Sequence, residues 1–136
     1  MINSEFFKKV KNLNLPRGEY ALFGSAPLGI RGLKESDDID IIATENLYNH
    51  CKQSGWEEKI AGSGSLYLTR DEIELFKDWK PGEWDIQELI DGAEVIDGLP
   101  FVKLVTVLKW KKLRNKEKDK KDIEIIEKYL IKKTTE

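Results

Sequence analysis

The sequence has one cysteine, one histidine and no long apolar run. A lone Cys51 cannot close an internal disulfide, so burial of apolar surface must hold the chain together. Its 136 residues suffice for one domain, 1–136, with such a core. No stretch approaches the roughly 20 apolar residues of a membrane span, and the first residues lack a signal-peptide pattern. A cytoplasmic chain with no membrane partner is expected. His50 and Cys51 fall inside one predicted helix with no partner near in sequence, so neither is expected to be catalytic. Positive charge is scarce early: residues 1–102 hold 11 Lys/Arg against 19 Asp/Glu, whereas residues 103–136 hold 12 against 6. Overall acidity argues against duplex DNA as a partner, which needs many phosphate contacts. The basic end could attract phosphates, or could be a solvated lysine-rich helix.

Apolar spacing and turn chemistry give a coarse element map. A helix is expected over Glu5–Asn12 with Ser4 as N-cap, then a buried strand Tyr20–Phe23. Gly24-Ser25 turns the chain, and Pro27 opens a short helical turn to about Gly32. Asp38–Ala43 reads as a strand, and Thr44 caps a helix from Glu45 to Ser54. Trp56–Ile60 and Ser65–Arg70 form a hairpin around Ala61-Gly62-Ser63-Gly64, with Ile73–Trp79 as the following strand. Asp85 and Glu88 make a capping box for a helix through Ile90. Two short strands flank Gly98. Helices Leu104–Arg114 and Asp119–Lys132 close the chain, the last with Ile123, Ile126 and Leu130 inward. The class is α+β: a mixed, mostly antiparallel sheet flanked by helices, with a core over 1–102 and basic helices over 103–136.

The chemistry concentrates between Phe23 and Phe76. Alternation along a strand sends Asp38 and Asp40 to one face while Ile39 and Ile41 take the other. Two neighbouring carboxylates in an apolar run repel each other unless a cation lies between them. Oxygen pairs of this kind hold hard divalent ions. Ile73-Glu74-Leu75 repeats the apolar–acid–apolar pattern, and Glu74 would complete a trio if its strand lay beside the first. Paired ions about 3.5–4 Å apart serve in-line displacement at phosphorus. Upstream, Gly24-Ser25 ahead of a helix start offers backbone N–H groups and a hydroxyl to phosphate oxygens. It is not a Walker loop, because Ile30-Arg31 stands where Lys-Ser/Thr belongs. Ile42 at the next ligand position excludes an EF-hand. Arg31 could meet a phosphate or pair with Glu35. Asp119 could cap the last helix or belong to the site.

Gly24-Ser25, Asp38-Ile39-Asp40-Ile41 and Ile73-Glu74-Leu75 together resemble the signature of the DNA polymerase beta-type nucleotidyltransferase superfamily. The Gly-Ser-Ala-x-Leu-x-x-Arg-Gly-Leu run, Gly24 to Leu33, is similar to its small single-domain bacterial and archaeal members. The resemblance implies a nucleotidyltransferase fold and transfer of a nucleoside monophosphate from a nucleoside triphosphate, ATP among them, to a hydroxyl. It implies two Mg²⁺ ions, with Mn²⁺ as a substitute, held by Asp38, Asp40 and Glu74, and Glu74 helping to deprotonate the acceptor. Lys109, Arg114, Lys118, Asp119 and Asp122 match the family's tail more loosely, and Lys109 and Arg114 are the two expected to reach the triphosphate. The acceptor is not legible: a small molecule, a tRNA end or a protein hydroxyl would each fit, with a second copy or a partner protein supplying its surface. A regulatory nucleotide-binding protein, such as the partner in a toxin–antitoxin pair, is the alternative.

Overall fold

A computed structural model describes residues 2–35 and 38–135, with side chains from 5 to 134 outside the gap. In chain order it contains α1 (Ile2–Asn12), β1 (Tyr20–Phe23), α2 (Ala26–Gly29), β2 (Ile39–Ala43), α3 (Glu45–Gln53), β3 (Glu57–Ile60) and β4 (Leu66–Arg70). There follow β5 (Ile73–Phe76), α4 (Ile86–Asp91), β6 (Glu94–Ile96), β7 (Leu99–Phe101), α5 (Leu104–Arg114) and α6 (Glu117–Thr135). The strands form one seven-stranded sheet in the order β3-β4-β5-β2-β1-β7-β6. The β1–β7 and β2–β5 pairings are parallel and the other neighbours antiparallel. The α+β class and mixed sheet stand as expected from the pattern.

Alternation divides the apolar residues of the sheet between two cores. Leu22, Ile39, Ile41, Leu68, Ile73 and Leu75 pack with Phe6, Phe7 and Val10 of α1 and with Leu47, Tyr48 and Cys51 of α3. Ala21, Phe23 and Ile42 instead pack with Ile90 of α4, Val107 and Trp110 of α5 and Ile126 of α6. Asp40 and Glu74 alternate with residues of the first core, so they belong to the second face. There Phe23, Trp79 and Trp110 form an aromatic cluster, with Phe23 stacked on Trp79 at 4.5 Å. Aromatic pairs of this kind add about 0.5–1.5 kcal/mol beyond area burial.

Several boundaries differ from the sequence reading. Helix α1 begins at Ile2, before Ser4, whose side chain lies outside the described residues. Strand β2 starts at Ile39, leaving Asp38 exposed on the bend before it. Strand β5 ends at Phe76, and Pro81 follows a cis bond from Lys80. The caps hold: Thr44 accepts from the Leu47 N–H and Asp85 from the Glu88 N–H. The largest difference is in α6, which starts at Glu117 and turns Asp119, Asp122 and Ile126 inward, with Ile123 only half-buried. An apolar-pattern argument rejects carboxylates from a core. Here they are admitted because cations from α5 are buried with them.

Candidate metal and phosphate site

Parallel pairing of β2 with β5 puts Asp40 directly opposite Glu74. Asp38, one step before β2, completes the group. One carboxylate oxygen from each of Asp38, Asp40 and Glu74 lies within 4.8 Å of the others, and the trio could hold a metal ion. The electrostatics agree with that chemistry. Burial, with the charges of Asp38 and Glu74 adding to it, pushes the Asp40 carboxyl up to about 8. Burial and the Asp38 charge also raise Glu74. Without a cation, then, the protein protonates Asp40 rather than carry three packed negative charges.

Gly24 shapes the floor beneath this trio. It has φ +63°, and a Cβ placed on it would stand 2.5 Å from Asp40 Oδ2. The turn after β1 can press its backbone against the carboxylate only because no side chain intervenes. Gly24→Ala is expected to cost about 1–2 kcal/mol for the left-handed residue and to push the Asp40 carboxylate aside. A thermal melt would show the first effect and weakened Mn²⁺ binding the second; unchanged Mn²⁺ affinity would separate Gly24 from the site.

Two lobes of one cleft meet at the carboxylates. The larger, about 570 Å³, runs past Glu74, Phe76 and Trp79 to the β3–β4 hairpin tip at Gly62-Ser63. Its other charged lining residues are Lys80, Arg114 and Lys116. Trp79 Nε1, on the wall of this lobe, is buried without a hydrogen-bond partner among the described residues. The smaller lobe, about 280 Å³, holds Gly24, Ser25, Lys34, Lys111 and Lys118 beside Asp38 and Asp40. Arg114 and Trp110 line both.

Behind the smaller lobe, α5 and α6 are joined by a buried ionic network. Lys111 Nζ lies 3.0 Å from Asp122 Oδ2 and 3.6 Å from Asp119 Oδ1, and Lys34 Nζ lies 2.8 Å from Asp122. Arg114 donates from Nε and Nη2 to the two oxygens of Asp119, which also accepts from the Lys116 N–H. Burial opposes the charge of Asp119, but the Arg114 fork, the Lys116 N–H and the Lys111 charge outweigh it and hold the carboxyl down at about 2.

The residues expected from the sequence therefore separate. Asp38, Asp40, Glu74, Gly24, Ser25 and Arg114 share one cleft. Lys109 lies on a different depression, its ammonium 5.8 Å from the Trp84 ring centre. Arg31 turns away as well, donating to the Pro27 carbonyl at 2.7 Å and to Glu94, not Glu35. Helical phase explains Lys109: five residues from Arg114 is about 500° of turn, well off the same face. Lys34, Lys80 and Lys116 also line the two lobes, although isolated lysines carry no local signal of what they face.

No family model matches the sequence. No curated protein matches it either. In structure it is similar to a Thermotoga maritima protein described as a "putative nucleotidyltransferase", with a TM-score of 0.57 and 18% identity over 97% of this chain and 96% of that one. The fold is nucleotidyltransferase-like. Among the described residues no helix is long and apolar enough to cross a membrane.

Proposed function

We propose that this chain is a small nucleotidyltransferase of the DNA polymerase beta type, a single domain moving a nucleoside monophosphate from a nucleoside triphosphate to an acceptor hydroxyl. The observation that carries the reading is the trio: Asp38, just before β2, Asp40 in β2 and Glu74 in the adjacent β5 converge beside a glycine bend and a lobe lined by Lys34, Lys111, Arg114 and Lys118 as well as by Glu35 and Asp122. The donor set is all oxygen, which suits Mg²⁺ or Mn²⁺. Asp38, Asp40 and Glu74 would hold the ions. Bound there, they would neutralise phosphate charge and favour ionisation of the acceptor hydroxyl.

The chain's own groups account for the rest. Gly24-Ser25 with Lys34 and Lys118 would receive the two outer phosphates. Glu74, whose burial raises its proton affinity, would take part in removing the hydroxyl proton. The freed oxygen attacks the α-phosphorus, the bond to the bridging oxygen breaks opposite it, and pyrophosphate leaves into the smaller lobe. Positioning and charge supply the catalysis; no covalent enzyme intermediate is needed.

Incubation with each α-labelled triphosphate, Mg²⁺ and cell lysate is expected to label a discrete acceptor by one nucleotide. The label should vanish with chelator and with Asp38→Asn. Triphosphate binding without any pyrophosphate released would identify a nucleotide-binding module without turnover instead.

A further inference from the structure

The division of cations between the two lobes distinguishes one phosphate from the others. Lys34, Lys111 and Lys118 line the smaller lobe alone, and Lys80 and Lys116 the larger alone. Arg114 is the cation common to both among the described residues, together with Asp38, Asp40 and Trp110. The metal-ligating carboxylates mark the junction where the phosphoryl group changes hands. A cation at that junction meets the group in transfer, whereas cations confined to the smaller lobe meet the group that leaves.

Arg114 is also held more firmly than an arginine at the end of a helix normally is. Its Nε and Nη2 donate to Asp119 at 2.9 and 2.5 Å. Its guanidinium lies 4.3 Å from the Trp110 ring centre, so one face is stacked. Trp110 is itself fixed, donating to the Lys80 carbonyl at 3.0 Å and packing on Phe23 and Trp79. Asp119 is wholly buried and takes a third bond from the Lys116 N–H. With one edge bound and one face stacked, the Nη1 nitrogen remains without a partner among the described residues. A guanidinium fixed in this way loses little freedom when its open edge meets a phosphoryl oxygen.

We infer that Arg114 is a catalytic residue acting on the transferred α-phosphoryl group, not on the departing pyrophosphate, and that Asp119 is the positioning residue that aims it. This rests on the nucleotidyltransferase reading. Charge spread over the equatorial oxygens of a phosphoryl group in flight is where a preorganised arginine contributes most.

Binding by calorimetry with Mg²⁺ present tests the assignment without knowledge of the acceptor. Three probes suffice: a nucleoside triphosphate with a non-cleavable α–β bridge, the nucleoside monophosphate, and pyrophosphate. Arg114→Ala is expected to weaken the triphosphate and the monophosphate about tenfold, the loss of one charge-assisted contact, and to leave pyrophosphate within twofold. Lys118→Ala should do the reverse, weakening triphosphate and pyrophosphate and sparing the monophosphate. Asp119→Asn keeps an oxygen for the Lys116 N–H. It should copy Arg114→Ala in the otherwise natural protein and have no further effect in the Arg114→Ala background. A merely structural Asp119 would produce equal losses in both backgrounds. Pyrophosphate weakened by Arg114→Ala as much as the monophosphate would place Arg114 on the leaving group and overturn the inference. A natural protein that binds none of the three probes would instead unseat the nucleotidyltransferase reading itself.

Discussion

Asp40→Asn is expected to abolish nucleotidyl transfer, by more than about 10³-fold on the scale of lost electrostatic stabilisation, while making the metal-free protein more stable. The two effects have one cause. Asp40 lies among Asp38, Glu74 and buried surface, and its carboxyl titrates near 8 against 3.8 for the unperturbed group. Below pH 3.8 both folded and unfolded chains hold the proton, and Asp40 has no effect on stability. Between there and about 8 the unfolded chain ionises Asp40 while the folded chain keeps the proton. Unfolding is favoured by about 1.4 kcal/mol more for each pH unit across that window, and the cost levels off above it.

At pH 7 the penalty is about 4 kcal/mol, and asparagine, neutral and nearly isosteric, removes it. The expected rise in melting temperature is on the order of 10 °C at pH 7 and close to nothing at pH 4. Mg²⁺ must displace the same proton. Its apparent affinity for the natural protein should therefore climb up to about tenfold per pH unit from 6 to 8 and then flatten. Equal melting curves at pH 7 for the two proteins, or a pH-independent Mg²⁺ affinity, would dissolve the account of Asp40 as a ligand held in waiting.

Lys111→Met is expected to destabilise the fold by about 3–5 kcal/mol, the cost of removing one partner from a buried ion pair. For a chain of this size that is a fall of roughly 10–20 °C in melting temperature. Lys111 is 2% exposed, and its ammonium stands between Asp119, fully buried, and Asp122, 3% exposed. Burial lowers the proton affinity of this ammonium, and the hydrogen bond to Asp122 opposes that shift. With methionine in its place the two aspartates keep Arg114 and Lys34 but lose the cation that separates them. The paired change Lys111→Met with Asp122→Leu should recover much of the loss, because replacing both ions by apolar groups of similar size is often neutral. A Lys111→Met protein melting within two or three degrees of the natural one would show that water, not Lys111, solvates this network. Calorimetric scans of the three proteins decide it.

Much of the site could be read along the chain. Strand alternation shows that an acid flanked by Ile39 and Ile41 faces away from them, and that Glu74 between Ile73 and Leu75 does likewise. Gly24-Ser25 announces a tight bend by composition. The helix over Glu45–Gln53, expected from its Thr44 cap, and the helix over Leu104–Arg114 lie where expected, to within a residue at the C-terminus of the former. These are local properties, fixed by φ/ψ preferences and by a period of two or 3.6 residues.

Other features have no local signature. Which strand lies beside β2 is a matter of chain crossing, and only the parallel β2–β5 register converts three acids into a cluster. The helical period already separates Lys109 from Arg114 around α5, but only packing decides that the Arg114 side meets the carboxylates and the Lys109 side meets Trp84. Nothing in the apolar pattern of the basic tail marks Asp119 and Asp122 for burial, yet both are buried, because α5 brings Lys111 and Arg114 against them. The sequence by itself determined the apolar pattern, the turns and the identity of the acids, since each depends on neighbours within a few residues. The tertiary structure alone decided which charges meet, since Coulomb energy and desolvation depend on distances through space and not on separation along the chain.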